Sequence, residues 1–216
     1  DEAIEELDFA VEELGFRAAM IGSFAMRTFN ENEPHAFWID SLGLDSAYDY
    51  DPVWRKCVEL KIAPTFHAGS LSWPTFGSIS NYNFNHIGSL ANSHMMSVKA
   101  IFLGGVTRRF PELRFGWEEG GVAWACTVLS DLVNHWEKRN AKAVVEQLNP
   151  ANYNLDRVME LIDEYGGDKV TPHSTAIREF LGRPSGQPEE LDDFAACGIE
   201  RAEDIHDLFV PRFFFG

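Results

Sequence analysis

The sequence is poor in positive charge and has no long apolar run. It carries 18 Lys and Arg against 34 Asp and Glu, a formal net charge of -16 over 216 residues. Because phosphate backbones bind basic surfaces, this balance argues against a nucleic-acid partner. No apolar run approaches the ~20 residues of a membrane-spanning helix, so no membrane span is expected.

Cysteine and nucleotide-binding motifs are also scarce. The three cysteines, Cys57, Cys126 and Cys197, are odd in number and far apart. This pattern disfavours a disulfide scaffold or a CxxC metal site, and it makes a reducing cytoplasm the expected location. A P-loop and a GxGxxG motif are both missing, so nucleotide binding has no support.

What is present is an alternation of helical and strand-like patterns. Short apolar runs predict four strands, at 16–22, 62–66, 113–117 and 212–216. Apolar residues at helical spacing predict helices at 1–14, 51–60, 90–103, 122–148 and 154–165, and shorter ones at 176–181, 188–196 and 202–208. This alternation predicts an α/β fold with parallel strands covered by helices. Residues 24–50 and 68–89 lack periodicity and are predicted as long functional loops.

The number of predicted strands bears on the architecture. Four strands cannot close a (β/α)8 barrel, which takes eight. The sequence also opens within a predicted helix and stops on three phenylalanines, so both ends look cut. We therefore expect residues 1–216 to be a single domain, the central to C-terminal portion of a larger TIM-like barrel. A complete small open-sheet protein is the alternative.

One histidine lies at the end of a predicted strand. In KIAPTFHAGS, residues 61–70, the apolar run ends at Phe66, and His67 and a small-residue turn follow. Side chains at the carboxyl ends of parallel strands point to the place where barrel and doubly wound folds bind ligands. Imidazole is a common metal ligand and acid/base group. His67 is therefore the leading candidate for a site residue.

Aromatic residues alternate with Asn and Ser in residues 72–86, a composition that suits the wall of a pocket for a small organic molecule. Trp73, Asn85 and His86 are accordingly predicted to bind substrate. Packing beneath a lid is an equally open interpretation of this segment. His94, which falls inside a predicted helix, is expected to be a surface or dipole-compensating residue.

Three blocks of sequence together resemble a known family. They are YDYDPVWRKCVELKIAPTFHAGS at 48–70, NYNFNHIG at 81–88 and IFLGGVTRRFPELRFGWEEGGVAWACTVLSDLVNHWEKRN at 101–140. They resemble the amidohydrolase-related metal-dependent hydrolases, in the branch that includes aminocarboxymuconate-semialdehyde decarboxylase and aromatic-acid decarboxylases. The resemblance is good over roughly 1–140 and poor over 150–210.

The resemblance implies a distorted (β/α) barrel with one divalent metal, usually zinc, with manganese as the second choice. In that family the ligands are an HxH pair on the first strand, a His ending the fifth and an Asp ending the eighth. His67 matches the fifth-strand His, which places this chain at about strands four to seven. The chain contains no HxH pair and no match to the late Asp. Because zinc takes three or four ligands, this chain alone is expected to be inactive.

The resemblance also singles out the end of the predicted strand 113–117. In the decarboxylases the sixth strand ends in a catalytic His followed by Gly-Gly, whereas residues 117–121 here read WEEGG, with Glu118 at the His position. A carboxylate there is interpreted as a catalytic base, a metal ligand or a residue that orients a ligand His. Glu119 would point the other way if the strand continued.

The sequence therefore predicts a metal-dependent enzyme that hydrolyses or non-oxidatively decarboxylates a small carboxylated or aromatic compound. By resemblance, a homodimer is the expected assembly. The alternative is a non-catalytic piece, an interaction or scaffold subunit that completes a barrel with a partner, because exposed strand edges recruit partners.

Overall fold

The computed structural model describes residues 2–30, 32–33, 35–67, 78–149, 152–183 and 192–216. The chain divides into two compact units, Asp1–Val133 with Ala196–Gly216, and Asn134–Ala195. A single domain over 1–216 stays a prediction. No helix of the described residues is long and apolar enough to cross a membrane.

The described strands and helices are listed here in chain order. The strands are β1 (Ala18–Ile21), β2 (Ala25–Thr28), β3 (Phe37–Asp40), β4 (Ala63–Phe66), β5 (Phe115–Trp117) and β6 (Phe213–Phe215). The α-helices are α1 (Glu2–Asp8), α2 (Asp51–Leu60), α3 (Tyr82–His86), α4 (Ser89–Leu103), α5 (Val106–Arg109), α6 (Ala123–Arg139), α7 (Ala141–Ala143), α8 (Leu155–Tyr165), α9 (Gly167–Val170), α10 (Ser174–Leu181) and α11 (Ala202–Phe209). Short π-helical segments, Phe9–Glu13 and Val144–Leu148, extend α1 and α7.

The first unit is built on a parallel sheet with the order β1-β4-β5-β6. Each strand pairs with the next one of the set, so the order never reverses, as in a barrel and unlike a doubly wound sheet. All four strands predicted from the sequence are present. The predicted α/β class and part-barrel arrangement are confirmed.

The two faces of this sheet differ in what covers them. Phe66, Phe115, Trp117 and Phe213 lie on one face and are buried, and helices α2, α4 and α11 contribute Trp54, Phe102 and Phe209 to their ring contacts. On the other face, register places Met20, Thr65, Gly116 and Phe214 in one row across the sheet. Met20 and Phe214 are exposed. In a closed barrel the corresponding face is the interior, because strand residues alternate between inside and outside.

Residues 24–50, predicted as a long irregular loop, contain a β-hairpin. Strands β2 and β3 pair antiparallel within it, with Ala25 opposite Asp40 and Thr28 opposite Phe37. Both strands are only four residues long and include charged residues, so the sequence shows no clear alternation. A polar cluster holds the hairpin: the buried Asp40 carboxylate accepts hydrogen bonds from the Tyr50 hydroxyl at 2.6 Å and the Arg27 guanidinium at 3.4 Å. Burial raises the pKa of Tyr50, which keeps its hydroxyl protonated as the donor.

Replacing Asp40 with alanine is expected to lower the free energy of unfolding by about 2–3 kcal/mol, because the partly buried Tyr50 hydroxyl and the Arg27 cation lose their charged, buried acceptor. Urea unfolding followed by circular dichroism measures the change. Glu33→Ala, in the exposed turn of the same hairpin, is the control and should stay within about 0.5 kcal/mol of the parent. Equal stability of Asp40→Ala and the parent would contradict a structural role for the cluster.

Two other predictions need correction along the chain. The helix predicted over 122–148 is interrupted, because Asn140 caps a new turn: its side chain accepts from the Ala143 amide and donates to the Trp136 carbonyl. The loop predicted over 68–89 contains α3, and residues 68–77 lie outside the described residues. Of the helix predicted at 188–196, residues 188–191 also lie outside them, and the described remainder is a turn followed by a short 3-10 helix, Ala195–Cys197, and not an α-helix.

The second unit is helical. Asn154 caps α8 by accepting from the Arg157 amide at 3.0 Å. Arg178 of α10 pairs with Asp156 of α8. No predicted site residue lies in this unit.

Candidate functional site

The carboxyl ends of the four parallel strands are tied together by backbone hydrogen bonds. The amide of His67 donates to the Ile21 carbonyl at 3.1 Å, the amide of Glu118 to the Phe66 carbonyl at 3.0 Å, and the amide of Gly216 to the Trp117 carbonyl at 2.9 Å. The residues that follow each strand therefore lie side by side. This edge is where folds of parallel strands bind their ligands.

His67 lies at this edge and faces a carboxylate. Its Nε2 is 2.7 Å from Oε2 of Glu119, and both side chains are partly exposed. A carboxylate only accepts hydrogen bonds, so Nε2 carries a proton, and in the neutral tautomer Nδ1 carries the lone pair. The pair thus combines an oriented imidazole with an adjacent negative charge, which is an arrangement that suits proton transfer.

The carboxylate beside His67 belongs to Glu119, which is expected to point away only if the strand continues past Trp117. Strand β5 ends at Trp117, and Glu119 adopts a left-handed conformation with φ of 63°. The turn carries its side chain back toward His67. Glu118 is exposed and contributes backbone groups to the edge, its amide to Phe66 and its carbonyl to His94. A catalytic role for Glu118 stays a prediction.

His94 is not a surface residue, contrary to the sequence-based expectation. It is fully buried on α4, with Nδ1 2.8 Å from the Ser23 hydroxyl and Nε2 2.7 Å from the Glu118 carbonyl. Burial lowers the pKa of His94, and the nearby His67 acts in the same direction. A signal existed in the sequence, because Leu90, His94, Val98 and Ile101 follow one helical face and all four are buried.

Of the three residues predicted to bind substrate, the structure describes two, Asn85 and His86. Asn85 closes a turn: its Oδ1 accepts from the Ser78 amide at 2.6 Å, and its Nδ2 donates to the Ser78 carbonyl at 2.8 Å. The ring of His86 stacks on Tyr82 at a centroid distance of 5.3 Å. Trp73 lies outside the described residues. Substrate binding by all three stays a prediction.

The metal site predicted around His67 is incomplete in the described part of the chain. Within those residues, no group of three or more His, Cys, Asp or Glu side chains is arranged to hold a metal ion. His67 and Glu119 supply two donor atoms, whereas zinc takes three or four. The described residues therefore do not fit a complete zinc site.

Comparison with known families decides the class of the chain. A model of the amidohydrolase family matches residues 1–171. The chain belongs to the amidohydrolase family. Members of this family generally use divalent metals. The match covers strands β1, β4 and β5 with the residues that follow them, but not β6.

Among solved structures, the chain is similar to 2,6-dihydroxybenzoate decarboxylase complexed with 2,6-dihydroxybenzoate. The two sequences are 16% identical, and the superposition has a TM-score of 0.43 over 95% of this chain. This chain spans 66% of the length of that protein.

Proposed function

We propose that this chain carries part of the active site of an amidohydrolase-family enzyme. The enzyme would hydrolyse or non-oxidatively decarboxylate a small carboxylated or aromatic compound. The observation that carries the proposal is the 2.7 Å contact between His67 and Glu119 at the carboxyl edge of the parallel sheet. Family membership supplies the enzyme class.

The His67–Glu119 pair is suited to moving a proton at Nδ1 of His67. Glu119 holds the proton on Nε2 and would stabilise the imidazolium formed when Nδ1 takes a second proton. In hydrolysis the imidazole would remove a proton from the attacking water. In decarboxylation the imidazolium would deliver a proton to the carbon that loses the carboxylate. Both reactions use the same nitrogen, so the pair supports either one.

Metal dependence is also part of the proposal. In the metal-dependent form of the site, His67 would be the first ligand through Nδ1 and Glu119 the nearest second donor, and the remaining ligands would come from outside the described residues. Nδ1 would then hold the ion and not a proton, so proton transfer would fall to Glu118, the base suggested by the family pattern. A bound divalent ion would supply charge stabilisation and lower the pKa of a bound water. Zinc is the first choice for a site that contains imidazole and carboxylate, and manganese the second.

The test is a substrate panel. The protein is incubated, with and without added Zn²⁺ or Mn²⁺, with hydroxybenzoates, aminobenzoates and small amides of aromatic acids. Released carbon dioxide identifies decarboxylation, and released amine identifies hydrolysis. Turnover of at least one class is expected from the full-length enzyme, in which the missing ligands are present, and little or none from residues 1–216 alone; metal content is measured on the same preparations. Failure of the entire panel with the full-length enzyme, also with metal added, contradicts the proposed activity.

A second candidate is an interaction or scaffold subunit. The observation that favours it is the exposed row on the sheet face, in which Met20 is 64% and Phe214 is 55% exposed. Strands β1 and β6 also form the two edges of the sheet. A partner chain or a second copy would cover these surfaces. A monomeric mass in solution, measured by light scattering, would argue against the homodimer form of this alternative.

A further inference from the structure

A buried polar chain connects three elements behind the His67–Glu119 pair. Ser23 follows β1, His94 lies within α4, and Glu118 follows β5. The hydroxyl of Ser23 and the carbonyl of Glu118 lie 2.8 Å and 2.7 Å from the two ring nitrogens of His94. Ser23 is 1% exposed and His94 is fully buried. The proposed reaction uses none of these side-chain atoms.

The partners of His94 fix its tautomer. A carbonyl oxygen only accepts hydrogen bonds, so Nε2 of His94 carries a proton and donates a hydrogen bond to the Glu118 carbonyl. Nδ1 then carries the lone pair, and the Ser23 hydroxyl donates to it. The imidazole is therefore held neutral and in one orientation, and burial opposes its protonation.

This imidazole holds the turn that presents Glu119. Among the described residues, four hydrogen bonds hold the backbone of the turn Glu118–Gly121: the Glu118 amide donates to the Phe66 carbonyl, the amides of Gly120 and Gly121 donate to the Gly216 carbonyl, and the Glu118 carbonyl accepts from His94. His94 is the one side chain among these four. Within this turn Glu119 has a φ of 63°, which L residues rarely adopt, so anchors on both sides keep it there.

The turn also lies directly on the ring of His94. A Cβ atom at Gly120 would be 2.9 Å from Cδ2 of His94 and 3.0 Å from Nε1 of Trp124. The close approach leaves no room for a larger side chain at this position. The imidazole therefore determines how closely the turn approaches α4. Through its hydrogen bond to the Glu118 carbonyl it also determines how the turn is oriented.

Ser23 and His94 do not form a nucleophile and its base. Ser23 is 1% exposed, so a substrate at the carboxyl edge cannot reach its hydroxyl. Nε2 of His94 is already committed to the Glu118 carbonyl. Ser23 and His94 can instead fix the position of the Glu118 backbone, which His94 contacts.

We propose that His94 is a positioning residue: held by Ser23, it anchors the Glu118 carbonyl and so keeps the Glu119 carboxylate against His67. The inference rests on the proposed function, because the pair that it positions is the one assigned there to proton transfer.

The variants separate the hydrogen bond from the volume of the ring. His94→Phe keeps a planar ring without a donor, and His94→Gln keeps an N–H group that can reach the Glu118 carbonyl. With a substrate on which the enzyme is active, His94→Phe is expected to lower kcat by about 10- to 100-fold with little change in KM. His94→Gln should recover most of that loss, and the Tm of both variants is measured to compare their folding. Equal losses of kcat in both variants would overturn the proposal.

Two readouts need no substrate and therefore distinguish this proposal from the proposed function. Long-range ¹H–¹⁵N correlation of the wild-type protein should show His94 protonated on Nε2 alone. Crystal structures should show Glu119 displaced from His67 in His94→Phe and in place in His94→Gln. If the substrate panel fails but these results hold, the proposed function falls and the positioning role stands.

Ser23→Ala covers the case in which His94→Phe does not fold. Removing the hydroxyl frees Nδ1, so the ring should rotate or exchange tautomers and the Glu119–His67 contact should lengthen. An unchanged tautomer and an unchanged contact in Ser23→Ala would overturn the proposal, as would a Glu119 that remains against His67 in His94→Phe.

Discussion

Replacing Phe213 with alanine is expected to lower the free energy of unfolding by about 3–5 kcal/mol. Phe213 is 4% exposed, and its ring lies 4.8 Å from that of Phe209 and 4.9 Å from that of Trp117, both edge to face. The rings of Phe102 and Phe115 pack against it as well. Truncation removes the buried ring and leaves a cavity among four aromatic neighbours, which cannot collapse without moving two helices. Chemical unfolding followed by intrinsic fluorescence measures the loss.

The adjacent residue offers a matched control. Phe214 is on the same strand but on the other face of the sheet, where it is 55% exposed. Phe214→Ala should therefore cost less than about 1 kcal/mol, since little apolar area is uncovered. A small loss in Phe213→Ala would contradict the described core. A large loss in Phe214→Ala would instead show that this face is covered in solution, as a second copy or the remainder of a barrel would do.

The strands of the parallel sheet could be predicted because each is a short apolar run with a clear stop. Phe66 and Trp117 end such runs, and both belong to the buried face. The hairpin β2–β3 could not be predicted in the same way, because tertiary contacts stabilise it. The Asp40 carboxylate and its partners, Arg27 and Tyr50, come together only after the chain has folded. A local sequence pattern cannot predict such a cluster.

The candidate site shows the same division. His67 was predictable, because its position depends only on where β4 ends. Glu119 was not, because its direction depends on a left-handed φ that the sequence WEEGG does not announce. His94 lies on a buried helical face, but its role depends on Ser23 and Glu118, which are 71 and 24 residues away in sequence. Contacts between distant residues are what periodicity cannot supply.

Replacing Glu119 with glutamine is expected to lower kcat by about 10²- to 10⁴-fold on any substrate that the panel identifies. The amide keeps the shape of the side chain but loses the charge that holds the proton on Nε2 of His67 and stabilises the imidazolium. His67→Ala should fall in the same range, and the double variant should lose little more than either single one, because the two residues act as one unit. Steady-state kinetics of the four proteins measure this non-additivity.

Glu118→Gln provides a direct comparison between the two neighbouring carboxylates. If Glu119 is the partner of His67, Glu119→Gln should show the larger loss. The reverse order would favour the assignment made from the family pattern, in which Glu118 takes the place of the sixth-strand histidine.

Two controls have no part in the site: Glu112→Gln, an exposed carboxylate before the amino end of β5, and His206→Ala, an exposed imidazole on α11. Both should retain the parent kcat, and a loss in either would mean that the assay reports folding and not chemistry. Fully additive losses in Glu119→Gln and His67→Ala would contradict the pairing, because residues that share one proton cannot act independently.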